Sequence, residues 1–227
     1  MTPDYGDVPE LVALEKLYIL YDDVIKDIPI ACRKGCSVCC TCNVSLTSLE
    51  GRYLLRSLSP GQVHTLLARM EPLRETPKFC PGLTINGYAA LCLSGGQPPE
   101  EENNPSWGAC PLLTCDLCPV YGARPFGCRC LVSEETCSDL EPARVPPYIL
   151  TVNTVFMQVI ENLDARGFSG NLSDMIPALV RDPLNPGSGS GLIQNRKSGM
   201  LMVPPEHRSR LEPLLRAMSR ACAQPKY

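Results

Sequence analysis

Five thiols crowd into the eleven residues Cys32-Arg-Lys-Gly-Cys36-Ser-Val-Cys39-Cys40-Thr-Cys42, and a second knot follows at Cys110, Cys115, Cys118, Cys128, Cys130 and Cys137. Thirteen of the fourteen cysteines therefore lie between Cys32 and Cys137. Cysteine thiolate is a soft donor that selects zinc, copper(I) and the iron of iron–sulfur clusters, and ligands close in sequence let one loop wrap an ion with little extra ordering. The spacing predicts that the two knots close around one inorganic centre, or two. The only histidines, His64 and His207, lie far from both knots, so mixed Cys/His zinc sites are not favoured. His64 falls within a predicted helix and reads as a surface or boundary residue.

Cysteine-rich chains also arise as secreted disulfide scaffolds. The start, Met1-Thr-Pro-Asp-Tyr-Gly-Asp7, lacks a basic segment followed by an apolar one, and no apolar run approaches the roughly 20 residues of a membrane span. The expectation is a cytoplasmic protein without a membrane partner, in which clustered thiols are metal ligands or catalytic groups rather than disulfides. Adjacent Cys39 and Cys40 agree, since neighbours rarely both find disulfide geometry in a short loop. Thiol–disulfide exchange at the C-x-x-C pairs Cys36/Cys39 and Cys115/Cys118 is a further reading. Such motifs normally stand between a strand and a helix of a βαβ unit, and neither flank here reads that way.

The chain has 227 residues, 44% of them hydrophobic, and a net charge of −3, enough to bury one sizeable core. Its basic residues are scattered, so no footprint for nucleic acid or an anionic surface is present. Twenty-three prolines and 17 glycines predict many irregular loops, for which metal ligation would compensate.

The elements that must position the thiols are mainly helical. Leu11, Leu14, Leu17, Tyr18, Tyr21, Val24, Ile25 and Ile28 trace one helical face leading to Cys32, with Asp7 and Glu10 as a capping pair. Val44 to Leu46 is short and extended. Thr47-Ser-Leu-Glu50 is a capping box for the next helix, which makes Glu50 a cap rather than a catalytic acid, and Ser59-Pro60-Gly-Gln62 opens another. Thr76 to Trp107 reads as a loop insertion with a turn at Asn86-Gly87. After Pro146-Pro147 a strong helix carries Ile149, Val152, Val155, Phe156, Val159, Ile160 and Leu163 inward and ends by Gly167. Ser173 and Ser209 are expected to cap two short helices, and Leu192 to Gln194 to pair with Met200 to Val203 as a hairpin. The predicted architecture is a mainly α single domain over 1–227. It has an irregular, loop-rich cysteine-cluster core over about 30–140, a helical C-terminal part over 147–227 packed on it, and at most small β-hairpins.

Cys32-x3-Cys36-x2-Cys39 reproduces the spacing of the radical S-adenosylmethionine enzymes. That superfamily is built on repeated strand and helix units, and neither the alternation nor a Gly-Gly-Glu-like segment is found here. A different group fits better. Cys36-Ser-Val-Cys39-Cys40, Val44-Ser-Leu-Thr47-x-x-Glu50, Cys110-Pro-Leu-Leu113, Cys118-Pro-Val-Tyr121 and Arg124-Pro125-x-x-Cys128-Arg129 occur in order. Together they resemble the YkgJ-type cysteine-cluster family, described as zinc- or iron-chelating domains with a CxxCxxCC pattern. The match covers Cys32 to Arg129 and departs at its first cysteine, where three residues rather than two separate Cys32 from Cys36.

The resemblance implies metal binding by Cys32, Cys36, Cys39, Cys40, Cys110, Cys118 and Cys128, with an iron–sulfur cluster as the first choice and zinc as the second. Cys42, Cys115, Cys130 and Cys137 are additions to the core pattern and leave room for a second metal. Cys80, Cys92 and Cys222 are either further ligands or buried thiols acting as small hydrophobes. Pro111 and Pro125 would stiffen the ligand loops, and Arg124 or Arg129 would offset thiolate charge or else form surface salt bridges with Glu134 or Glu135. Tyr121 reads as packing beside the site.

Two functions of different class follow. One is a metal carrier, store or structural module. The other is a cluster-dependent enzyme acting on a protein partner, because the family is distantly related to the flagellin lysine N-methylases. No G-x-G-x-x-G nucleotide cradle and no nucleophile–base pair accompanies the cysteines, so the metal-binding role leads.

Overall fold

The computed structural model describes residues 8–33, 35–137, 143–188 and 191–223. Helix α1 (Pro9–Ile25) starts with proline at its first turn after the extended Val8, without a side-chain cap. The predicted capping residue Asp7 lies outside the described residues. Leu11, Leu14, Leu17, Tyr18, Tyr21 and Ile25 are buried along one face, as their 3.6-residue spacing requires. Strand β1 (Ser45–Thr47) runs directly into α2 (Ser48–Arg56) through a complete capping box of Thr47 and Glu50. Helix α3 (Pro60–Met70) opens with a second box, Ser59 and Gln62.

The stretch expected to be loop contains a helix, α4 (Ile85–Leu93). Asn86-Gly87 is not a turn because the Thr84 hydroxyl accepts the Gly87 N–H at 3.0 Å, which starts the helix there. The Asn86 N–H goes to the buried Glu161 carboxylate at 2.8 Å, a tertiary partner that no local pattern reveals. The short α5 (Phe126–Arg129) follows the second cysteine knot. Helix α6 (Pro147–Leu163) is the long helix expected after the proline pair. Strand β2 (Phe168–Asn171), α7 (Leu172–Arg181), β3 (Leu192–Gln194) and α8 (Arg208–Cys222) complete the chain.

The fold is thus mainly α, with one small antiparallel sheet of order β1-β2-β3. Leu46 faces Gly170 and Ser169 faces Ile193. The predicted hairpin between 192–194 and 200–203 does not form: β3 pairs with β2 instead. Met200 to Val203 lie along α6, where Gln158 donates to the Met200 carbonyl and accepts the Met202 N–H at 2.7 Å. The cap assignments at Ser173 and Ser209 also shift. Asn171 caps α7, accepting the Ser173 N–H at 2.8 Å, and α8 begins after His207 without a side-chain cap.

Two apolar cores hold these elements. The first gathers α1, α6 and α8 around the almost fully buried rings of Tyr21, Phe126 and Phe156. Tyr21 meets Phe126 and Phe156 edge-on at 4.8 and 5.2 Å, and the two phenylalanines stack at 5.4 Å. The second joins Val44, Leu46, Leu112 and Val120 to α2, α3 and α7. Helices α2 and α7 meet so closely that a Cβ on Gly51 would stand 2.4 Å from Leu179 Cδ1. Segments before residue 137 and after residue 147 contribute to both cores, so the cysteine-bearing loops are fastened from both ends of the chain.

Phe156→Ala removes a fully buried member of the aromatic trio. Urea denaturation of this variant should show a loss of about 3–5 kcal/mol.

Candidate functional site

The second knot is shaped by turns. Leu113 N–H bonds to the Cys110 carbonyl, and Thr114 and Leu117 exchange backbone bonds at 2.9 and 3.0 Å. Cys115 and Asp116 form the tip of that hairpin, both in the left-handed region with φ of 48° and 59°, the geometry of a type I′ turn. The Cys118 carbonyl accepts Tyr121 N–H, and Pro125 leads into α5, which carries Cys128.

The first knot is zipped onto the second. Cys42 N–H bonds to the Gly108 carbonyl at 2.8 Å and Cys110 N–H to the Cys40 carbonyl at 2.9 Å, flanking an antiparallel bridge between Thr41 and Ala109. Ser37 Oγ donates to Asp116 Oδ1 at 2.9 Å. Upstream, Ala31 N–H bonds to the Ser133 carbonyl at 2.8 Å. Between Cys32 and Cys36, Cys36 N–H bonds to the Arg33 carbonyl at 3.0 Å and Gly35 has φ of 89°. Only glycine takes that conformation without strain.

The result is a cavity of about 120 Å³ lined by Cys32, Cys36, Cys39, Cys40, Cys110, Cys118 and Cys128. All seven cysteines singled out by the sequence share it. Its walls are otherwise largely apolar, with Ile25, Ile30, Val44, Leu112, Val120, Val132 and Leu172, and Arg33 and Arg124 supply cations. Cys36 and Cys39 are exposed at its mouth, whereas Cys32, Cys40, Cys110, Cys118 and Cys128 are half-buried. Among the described residues, no three His, Cys, Asp or Glu side chains are already drawn together as the ligands of a metal ion. The thiols stand around a wall rather than around a point.

The remaining cysteines separate by environment. Cys42 is buried beside Asn43 Oδ1 and the Pro77 carbonyl. Cys130 and Cys222 pack against the α1–α6–α8 core. Cys80, Cys92 and Cys115 are exposed and do not line the cavity.

Burial dominates thiol acidity. Cys110 is pushed up to about 11 by desolvation, and Cys128 rises well above the ordinary thiol value from burial and then from its thiol neighbours Cys110 and Cys118. Burial also raises Cys118, an effect opposed by the Val120 N–H and by Arg124. Cys39 donates its S–H to Cys40, which raises Cys39 and lowers Cys40.

Two buried groups hold this arrangement. Glu50, at the third position of its capping box, is only 4% exposed. Its Oε2 accepts Thr47 N–H at 2.8 Å, while Oε1 accepts the Tyr18 hydroxyl at 2.9 Å and the Phe126 N–H at 2.7 Å. A cap read from local sequence therefore also anchors α1 and the start of the Cys128 helix. Arg129 is likewise buried. It pairs with both oxygens of Asp22 at 2.9 and 2.7 Å, donates to the Gly122 carbonyl and lies 4.4 Å from the Tyr18 ring centre. Arg124 stacks on Tyr121 at 3.9 Å. Neither arginine forms the surface salt bridge considered from sequence; Glu135 is taken by Arg144.

Sequence reasoning missed Arg33, Asp22 and the link from Ala31 to Ser133. Adjacency to Cys32 could have flagged Arg33, but nothing local marks Asp22, a helix-face residue whose partner is remote in the chain. The chain matches no protein-family model, no curated protein and no solved structure with which it was compared.

Glu50→Ala strands the buried Tyr18 and Phe126 donors at about 1–3 kcal/mol each, so denaturation should show a loss of about 3 kcal/mol or more. Glu50→Gln, which keeps an acceptor, should lose less. In metal-free, reduced protein, the lowered Cys40 should react with iodoacetamide before Cys110 and Cys128. Timed alkylation with peptide mass mapping reads that order.

Proposed function

We propose that this protein is a thiolate metal-binding protein. Cys32, Cys36, Cys39, Cys40, Cys110, Cys118 and Cys128 hold an iron–sulfur cluster, with zinc as the second choice. The observation that carries the reading is the convergence of all seven thiols, from two knots distant in sequence, on one largely apolar cavity. The donor set is chemically right for either metal, since both are bound as thiolate complexes.

The form of the cavity favours a cluster. Its volume of about 120 Å³ is far above the roughly 10–15 Å³ that admits a single water. A single zinc ion draws four thiolates to about 2.3 Å from one point, whereas a cluster is several atoms across and suits thiols spread around a wall. Arg33 and Arg124 would offset the negative charge of a multi-thiolate centre. A cluster held there supplies a one-electron redox centre.

Burial keeps the deeper thiols protonated in the free protein, so loading releases protons and affinity should rise with pH. Exposed Cys36 and Cys39 leave the cavity open to solvent. Val38, Leu117, Tyr121 and Leu131 are exposed apolar residues on the same loops, a surface suited to a protein partner or substrate. Those features keep the second reading in place, a cluster-dependent enzyme that modifies protein side chains, in line with the resemblance to the YkgJ-type family and its distant lysine N-methylase relatives. No helix among the described residues is long and apolar enough to cross a membrane.

Iron, zinc and acid-labile sulfide per chain, measured on protein purified without oxygen, test the proposal. Iron matched by sulfide is the expected result, and Cys118→Ser combined with Cys128→Ser should abolish both. Cys80→Ser and Cys92→Ser should leave them unchanged. A chain that binds neither iron nor zinc would sink the reading.

A further inference from the structure

A second cavity, of about 400 Å³, shares no lining residue with the cysteine site and runs between α7 and the end of α3. Helical spacing explains its walls. On α7, Leu172, Met175, Ile176 and Leu179 turn into the second core. Ser173, Pro177 and Arg181, a turn apart each time, are left on the face that lines the cavity. The other wall is Leu67, on α3, followed by Glu71, Arg74 and Glu75 on and after the 3-10 turn Glu71–Leu73. Lys78 ties the two walls together. Its side chain is only 7% exposed, and its Nζ meets Asp174 Oδ1 at 3.2 Å and the Arg74 carbonyl at 2.8 Å.

Ser173 is the unusual group on this face. It is 1% exposed, and among the described residues its hydroxyl has no hydrogen-bond partner, although a buried polar group ordinarily has one. Its N–H bonds to Asn171 Oδ1 at 2.8 Å. Its carbonyl lacks the helical bond, because Pro177 one turn later has no N–H to give. The charges around it exclude a simple ion as the occupant. Glu71, Glu75 and Asp174 line the cavity together with Arg74 and Arg181, so a lone anion or a lone cation meets like charge. Arg74 takes Glu71 at 3.5 Å and Lys78 takes Asp174, whereas Glu75 and Arg181 have no ion-pair partner among the described residues. Leu67, Val180 and Leu192 add apolar surface.

We propose that this cavity binds a free amino acid with an apolar side chain. A zwitterion is the small ligand that satisfies both unpaired charges: its carboxylate pairs with Arg181, and its ammonium with Glu75 and the Ser173 carbonyl. Its side chain lies against Leu67, Val180 and Leu192. The Ser173 hydroxyl is shut off from solvent in its present rotamer, and a step between staggered χ1 wells turns it to the bound carboxylate. The inference stands apart from the metal-binding reading.

Isothermal titration of the full chain with leucine, phenylalanine, glutamate and lysine tests it, alongside N-acetyl-leucine, which lacks the ammonium, and leucinamide, which lacks the carboxylate. Leucine or phenylalanine should bind, and the other four compounds should bind about tenfold more weakly or not at all. Ser173→Ala removes a hydroxyl with no protein partner, so the melting temperature should hold while binding weakens. Arg181→Gln should weaken binding about tenfold. Amide spectra of the unaltered chain need no variant, and leucine should shift the Ser173, Asp174 and Arg181 signals. Failure of both leucine and phenylalanine to bind overturns the proposal and leaves Ser173 to water alone. Equal binding of glutamate, lysine or either blocked form overturns it too, as does binding that neither substitution weakens.

Discussion

The arrangement depends on a carboxylate buried where three helices meet. Glu50 completes the capping box of α2, receives the Tyr18 hydroxyl from α1 and receives the Phe126 N–H that starts α5. A buried carboxylate is tolerable only when its oxygens are filled with donors, and here each donor comes from an element that the site needs. Tyr18 is correspondingly driven well above the ordinary tyrosine range by burial and then by Glu50. Over the Tyr18 ring lies the buried Arg129 guanidinium, bonded to Asp22. Tyr18 thus joins the buried carboxylate, through its hydroxyl, to the guanidinium carried by the helix of Cys128, over its ring.

From that anchor outward, regular structure gives way to turns. The cysteine loops contain little helix or strand, and their backbone groups are satisfied by short local bonds and by the zip between Cys40 to Cys42 and Gly108 to Cys110. Such loops cannot hold seven thiols around a cavity unaided. They are held because the flanking elements are committed to two apolar cores, one centred on Tyr21, Phe126 and Phe156 and the other on the contact of α2 with α7. The packed cores thus carry the regular elements, and the cavity thiols are borne mostly on the turns between them.

Electrostatics divides the cavity by depth. Toward the interior, desolvation and mutual proximity favour protonated thiols, as at Cys110 and Cys128. Under the proposed function, a bound cation would resolve that conflict by taking the deprotonated thiols as ligands. Arg33 and Arg124 at the cavity act in the same direction from the protein side. At the mouth, Cys36 and Cys39 are exposed to solvent.

What the sequence by itself determined were features written in local spacing. The face of α1, the capping boxes at Thr47 and Ser59 and the proline start of α6 all follow from residues a few positions apart, where propensity and capping act, whereas the set of seven cavity cysteines was implied by the resemblance of the ordered motifs to a family. The tertiary structure alone decided which distant groups meet. Asn86-Gly87 lies in a helix start whose local Thr84 cap is joined by the remote Glu161 carboxylate on the Asn86 N–H, β3 took β2 rather than the nearer segment, whose backbone is bonded to Gln158, and Arg129 turned inward to Asp22. Each of these depends on pairing between residues far apart in the chain, which the spacing of residues cannot encode.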